Sequence, residues 1–495
     1  MAKSFHARLG RESRAAGALA AALGLVMWSA PIAAADVTLR QISADPYTNA
    51  TSQHRTEVEP DTLSAGATIV SAVQVGRFFS GGSSNIGFAT STNSGRGWTA
   101  GFLPGTTAFA TPAGPYAAAS DPTVAFDAKH GVWLISYLGL HPNGNGPEVD
   151  VLVSRSTDGG LTWGNPVVVN TDGDFNDKNW TVCDDSASSS FYGNCYTEFD
   201  DNTRGDLIQM STSTDGGLIW GAGQSTQNND HGIGGQPLVQ AGGRVIVPIN
   251  GFAGRNFTMM SFSSEDGGAS WGNTHEITRI GFHHAAGGLR DSIPLPSAEI
   301  DASGRVYAVW QDCRFETACS ASDLVMSTTT DGTKWSKLTR LPLDPTGSGV
   351  DHFIPGLAVD RSTSGSTAHL LVTYYSYPVS GCTTSTCQLN VGFSSSFDGG
   401  ASWSTAANLA GPMSLTWLPN TSQGFMVGDY LSTSFSGGPA YPGLVAANAP
   451  SGGVFDQATY TVRGGLSVGG SGHGASDQAS SGSNDTLTSS SLTSQ

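Results

Sequence analysis

Basic charge is scarce in this chain. Its 495 residues hold 23 Lys+Arg against 40 Asp+Glu. Four of the basic residues, Lys3, Arg8, Arg11 and Arg14, fall in the first 35 positions; beyond them the balance is 19 against 39, a net charge of −20. A surface of that sign repels nucleic acid and anionic membranes at long range. It leaves room for an acidic ligand, because a local arginine pocket still binds a carboxylate. Long apolar runs are also missing: outside Ala16–Met27 no stretch approaches a membrane span. The six cysteines contain no Cys-x₂-Cys pair, which removes the commonest zinc signature. Aromatic residues stop before Arg463, so residues 464–495 cannot bury a core and read as a disordered Gly/Ser-rich tail.

What is present begins with a leader. The four basic residues precede Ala16–Met27, and Ala33-Ala34-Ala35 offers a small-residue cleavage site before Asp36. That is the pattern of a signal peptide over residues 1–35, removed near Ala35, and it predicts a secreted chain. Ser29 and Pro31 follow the short run and argue against a retained anchor. The cysteines fall as near neighbours, Cys183/Cys195, Cys313/Cys319 and Cys382/Cys387. In an exported chain this spacing most simply gives three local disulfides.

A short sentence ending in tryptophan recurs six times. Clear copies run Ser156–Trp163, Ser213–Trp220, Ser264–Trp271 and Ser396–Trp403, with degenerate ones at Ser91–Trp98 and Thr329–Trp335. The tryptophans are 65, 57, 51, 64 and 68 residues apart, the length of one four-stranded unit. In each copy an Asp can accept backbone N–H groups, a Gly pair supplies the positive φ of a tight turn, and Trp buries an apolar face. These are turn-forming elements, not ligand sites.

The pattern resembles the Asp-box, or bacterial neuraminidase repeat, of sialidase-like β-propellers. The resemblance covers residues 90–405 directly and about residues 55–450 through a second repeat. It implies an all-β fold, a propeller of four-stranded antiparallel blades, forming one domain over residues 36–463. The second repeat leads short strands: Glu59-Pro60, Asp121-Pro122, Asp177-Lys178-Asn179-Trp180, Gln236-Pro237, Leu295-Pro296, Ile354-Pro355 and Gly428-Asp429-Tyr430. From Pro60 to Pro355 the steps are 62, 57, 58, 59 and 59 residues. A proline opening the innermost strand costs little beside an axial channel. Seven such motifs favour seven blades, the last closed by an N-terminal strand at Val37–Ile42, with six as the alternative.

Propeller ligands commonly bind where one loop from each blade converges over the channel, and the second repeat marks that rim. It places Glu59, Asp121, Asp177, Lys178, Gln236 and Asp429 in corresponding positions, with Arg290-Asp291 and Asp351-His352 just upstream of their own strands. The sialidase resemblance implies an arginine cluster for a substrate carboxylate, for which Arg77, Arg290 and Arg314 are candidates. It further implies an acid/base, best matched by Asp121, and a Tyr nucleophile activated by Glu, with Tyr430 or Tyr375 the nearest match. Glu59 and Asp177 complete the catalytic candidates; Lys178, Gln236, His352 and Asp429 are candidate substrate contacts. No Arg-Ile-Pro segment precedes the first blade, where Gln53–Pro60 reads His54-Arg55-Thr56-Glu57-Val58-Glu59 instead.

The expected function is a glycoside hydrolase acting on an extracellular glycan, as a monomer. Two alternatives stand beside it, a non-catalytic glycan- or surface-binding propeller and a polysaccharide lyase. Two carboxylates such as Asp121 and Asp177 could then be acid and base. No cofactor and no metal site is expected. Asn170–Asp177 gathers oxygen ligands as a calcium loop does, so calcium near Asp172 and Asp174 is the alternative to a solvated turn.

Overall fold

A computed structural model describes residues 37–142, 148–253, 256–291 and 293–469. The expected leader, and the expected tail from residue 470 onward, lie outside the described residues. Among the described residues the chain is almost wholly β: helix is limited to five three-residue 3₁₀ turns. No described helix is long and apolar enough to cross a membrane.

The strands form successive antiparallel sheets, numbered here in chain order. Sheet I comprises Glu57–Ala65, Thr68–Arg77, Ser83–Ser91 and Thr99–Phe102, and sheet II Ala118–Asp127, Val132–Leu140, Val149–Ser156 and Val167–Asn170. A single bridge, Ser83 to Ala119, joins their edges. Sheet III holds Asn176–Cys183, Cys195–Asp201, Leu207–Ser213 and Gln224–Ser225. In sheet IV, Gly232–Ile233 and Leu238–Val239 both pair with Val245–Ala253, followed by Asn256–Ser264 and His275–Arg279. Sheet V is Ser297–Ile300, Val306–Asp312, Asp323–Thr329 and Thr339–Arg340; sheet VI is Asp351–Val359, Leu370–Tyr377, Leu389–Ser396 and Ala407–Met413. Sheet VII takes Ser432–Phe435, Ala440–Ser451 and Val454–Val462 from the C-terminal end and borrows Leu39–Gln41 as its fourth strand. The fold is a β-propeller of four-stranded antiparallel sheets.

The first strands of these sheets touch in cyclic order, sheet I to II and onward through VII back to I. Side chains stitch neighbours together at that level. Val124 N donates to Asp61 Oδ2 at 2.7 Å, Ala298 N to Gln236 Oε1 at 2.7 Å and Leu357 N to Ser297 Oγ at 2.8 Å. Thr373 meets Thr433 at 3.0 Å, and Ser434 meets Thr62 at 2.8 Å. An axial cavity of about 50 Å³ is lined by Asp61, Val124, Thr181, Gln236, Ser297, Leu357 and Ser432, each from a different sheet or its leading segment.

Every tryptophan-ended repeat forms the turn between the last two strands of its sheet. In the copy at Ser156, Gly160 N donates to Ser156 Oγ at 2.9 Å, and Thr162 N to Asp158 Oδ1 at 2.9 Å. Gly160 has φ +80°, and a Cβ there would meet Val70 Cγ2 at 2.7 Å, so glycine is required for both reasons. The turn also grips the preceding sheet: Thr90 Oγ1 donates to Gly160 O at 2.6 Å, and Trp163 packs on Phe88 at 5.8 Å. The same grip recurs at Gly332, whose carbonyl accepts from Ser261 Oγ at 2.7 Å. All three expected disulfides form: Cys183–Cys195, Cys313–Cys319 and Cys382–Cys387. The packed chain runs three residues past position 463, since buried Leu466 exchanges backbone hydrogen bonds with Ala440.

Candidate active site on the axial rim

The leading segments of four first strands share a feature that sequence alone conceals. Glu59, Asp121, Lys178 and Ile354 have φ of 58°, 53°, 47° and 50°. Each sits where strand pairing shifts register, between Val58 and Asp61, Ser120 and Thr123, Asp177 and Trp180, and Phe353 and Gly356. A left-handed residue other than glycine costs on the order of 1–3 kcal/mol. The bulge turns one side chain per strand out of the ladder. Three of the four carry ionisable groups, and those three meet.

Lys178 Nζ lies 2.9 Å from Asp121 Oδ2, 3.1 Å from Asp429 Oδ2 and 3.5 Å from Glu59 Oε1. Arg290 Nη2 pairs with the same Asp429 Oδ2 at 2.5 Å. Gln74 Nε2 donates to Glu59 Oε2, and Asp429 N lies 3.3 Å from Glu59 Oε1. The ammonium of Lys178 also stands 4.9 Å over the ring of Tyr430, whose hydroxyl donates to Pro122 O at 2.9 Å. Trp180 meets that ring edge-on at 5.5 Å.

Two guanidiniums flank this group, that of Arg77 buried and that of Arg290 part-buried. Arg77 donates from Nη1 to Gly82 O at 2.6 Å, while its Nε faces Met426 Sδ at 3.1 Å. Arg290 Nη1 faces the same sulfur at 3.6 Å, and its Nε has no partner among the described residues. A thioether is a weak acceptor, so both cations keep donor capacity unspent.

The carboxylates are driven apart in acidity. Burial, reinforced by the charge of Asp121, pushes Glu59 up to about 8. Burial also acts on Asp121, but Lys178 outweighs it and holds that carboxyl below its usual range. Asp429 behaves likewise, with Arg290 and then Lys178 overcoming burial. Asp177, buried and beside Asp121, rises to about 6. Lys178 is held protonated well above its usual range, because three carboxylates overcome its desolvation. Burial and then Arg290 lower Arg77 to about 10, and burial raises the Tyr430 phenol well above its usual value. One carboxylic acid and two carboxylates around a lysine make an acid/base-capable group.

Of the residues singled out from sequence, Glu59, Asp121, Lys178, Asp429, Tyr430, Arg77 and Arg290 are brought together. Asp177 lies beside them, its Oδ1 accepting from Lys178 N at 3.0 Å. Arg314 is elsewhere, half-exposed, with Nη2 2.8 Å from Asp312 Oδ2 and Nη1 3.1 Å from Thr278 Oγ1. Gln236 belongs to the stitching between sheets IV and V, and His352 is buried against Tyr374 at 5.3 Å. Tyr375 is a core residue whose hydroxyl donates to Val445 O at 3.0 Å. Asp172, Asp174 and Asp201 lie with carboxylate oxygens within 4.8 Å of one another, and Arg204 sits 3.8 Å from both Asp172 and Asp174. Sequence reasoning missed Gln74 and Met426. Gln74 was legible as the one amide in the apolar strand Thr68–Arg77; Met426 carried no signal.

Residues 142–355 match the family model described as a BNR repeat-like domain. That segment is BNR repeat-like and spans less than half of the chain. No curated protein matches the chain. Among solved structures, a polysaccharide lyase of family PL25, an ulvan lyase bound to an oligosaccharide, is 13% identical; the match covers 86% of this chain and 96% of that one, with TM-score 0.49. The leech intramolecular trans-sialidase is 12% identical over 68% of this chain and 67% of its own, with TM-score 0.45. The NanB sialidase of Streptococcus pneumoniae is 13% identical over 85% and 69%, with TM-score 0.41.

Proposed function

We propose that the chain is a secreted, seven-bladed carbohydrate-active propeller that hydrolyses a glycan bearing an acidic sugar. The observation that carries this reading is the pair of guanidiniums, buried Arg77 and part-buried Arg290, turned on Met426 Sδ beside a lysine–carboxylate group. Desolvated guanidiniums with unspent donors suit a carboxylate on the ligand. Beside them Glu59, raised to about 8, is in this reading the proton donor to a departing glycosidic oxygen. As the glycosidic bond breaks, water adds to the anomeric carbon and yields its proton to Asp121, which Lys178 keeps ionised. The Tyr430 hydroxyl, already donating to Pro122 O, serves to position Lys178 by its ring face.

The test is turnover of sialylated and uronate-containing oligosaccharides. Wild-type chain releases reducing sugar, and the rate falls as pH rises through about 8, where Glu59 loses its proton. Glu59→Gln retains the melting temperature and loses roughly 10²–10⁴-fold in rate, the usual share of a general acid. The near-complete burial of Glu59 and Lys178 favours a second reading, a binding propeller whose rim network is a rigid platform. Saturable binding without product in the same assay identifies that case. A product carrying a conjugated double bond identifies a lyase.

A further inference from the structure

Outside the rim network, five buried polar atoms cluster where sheets V and VI meet. Asp323 Oδ2, Arg340 Nε, His352 Nδ1, His352 Nε2 and Tyr374 Oη have no hydrogen-bond partner among the described residues. Asp323 opens the third strand of sheet V and Arg340 ends its fourth; Asp344 lies in the loop beyond. His352 is the second residue of the first strand of sheet VI, and Tyr374 stands on the second. His352 is 0% exposed and Asp323 1%. Burying a carboxylate oxygen and a whole imidazole without partners is costly unless something else supplies the contacts.

The geometry indicates what that is. One nitrogen of His352 and one oxygen each of Asp323 and Asp344 lie within 4.8 Å of one another. Arg340 Nη2 holds the Oδ1 atoms of both carboxylates, at 2.7 Å to Asp323 and 2.5 Å to Asp344. Ser348 Oγ donates to Asp344 Oδ2. Outer partners thus fix both carboxylates, as they do for ligating side chains, and leave Asp323 Oδ2 without a partner among the described residues. One guanidinium offsets only one of the two carboxylate charges, so the group retains attraction for a cation. Mixed imidazole and carboxylate donors suit a divalent transition metal rather than calcium, which takes oxygen ligands.

We propose that Asp323, Asp344 and His352 bind a divalent transition-metal cation of the Zn²⁺ or Mn²⁺ type, joining sheet V to sheet VI. Arg340 and Ser348 orient the carboxylates without ligating. Side chains of Arg340 and Asp344 reach the edge of the cluster, 11% and 6% exposed, and give the ion its way in.

The experiment uses the untagged full chain, stripped with chelator and dialysed against ZnCl₂ or MnCl₂, with bound metal counted by mass spectrometry. One equivalent per chain is expected, with a raised melting temperature. His352→Gln and Asp323→Asn should each weaken binding at least about tenfold, while His275→Gln leaves it unchanged. Should those variants fold poorly, electron spin-echo spectroscopy of Mn²⁺ on the wild-type chain decides the matter, a single coupled imidazole nitrogen being expected. Absence of stoichiometric metal, metal without nitrogen coupling, or binding untouched in both variants would overturn the proposal.

Discussion

At the scale of single residues, the chain separates the aspartates of the outer turns from those of the rim network, although their sequence contexts look alike. Asp158 lies on an outer turn and accepts from Ser156 Oγ, Leu161 N and Thr162 N at 2.8, 3.1 and 2.9 Å. These bonds favour the ionised form and depress its pKa to about 2, with the side-chain bond from Thr162 leading. Asp121, by contrast, is aimed by a left-handed bulge at Lys178. Replacing Asp158 by Ala removes the turn's acceptor, and by analogy with capping losses should cost about 1–2 kcal/mol in urea unfolding. An unchanged midpoint would contradict the account of the repeat as a folding element.

At the scale of elements, the spacing of the two repeats made the strand order readable. The tryptophan-ended repeat marked the outer turns because Asp, Gly and Trp are each demanded by a local geometry. The Pro-led repeat marked the first strands because a missing N–H is tolerated there. What remained hidden was side-chain direction. Arg77 and Arg314 stand in similar sequence contexts, yet Arg77 turns toward Met426 and Arg314 toward Asp312. The left-handed conformation at Glu59, Asp121 and Ile354 was hidden too, since each precedes a proline, where extended backbone is expected.

Ring closure belongs to the same scale. Leu39–Gln41 pairs with Val454–Val462 through Leu39↔Val462, Arg40↔Thr461 and Gln41↔Tyr460, and Ile42 N and Arg463 N add bonds of 3.0 and 2.9 Å. Removing residues 37–42 leaves the last sheet with an open edge. At about 1 kcal/mol per lost bond, the expected loss is roughly 3–5 kcal/mol, read from the denaturant midpoint. A truncated chain as stable as the full one would place closure elsewhere.

For the whole molecule, buried acids set the response to pH. Burial raises Glu57, Asp61 and Asp351 each to about 7. Their unfolded counterparts ionise near 4, so between pH 4 and 7 the folded chain binds more protons. Stability is then greatest at the acid end of that window and falls as pH rises through about 7. The depressed aspartates of the outer turns act in the opposite direction but have finished titrating below pH 5, so they do not cancel the trend. The urea midpoint should therefore be higher at pH 5 than at pH 8; the reverse order would mean that these acids are not buried as described.

In the proposed function the rim network receives an acidic sugar through Arg77 and Arg290. This is tested most directly by calorimetric titration with an acidic oligosaccharide and with its carboxyl-reduced counterpart, identical except for the charge. The acidic form should bind at least about tenfold more tightly, the share of a charge-assisted bidentate contact, and Arg77→Met should erase the difference. Equal affinity for the two forms would contradict it, as would a difference that survives Arg77→Met.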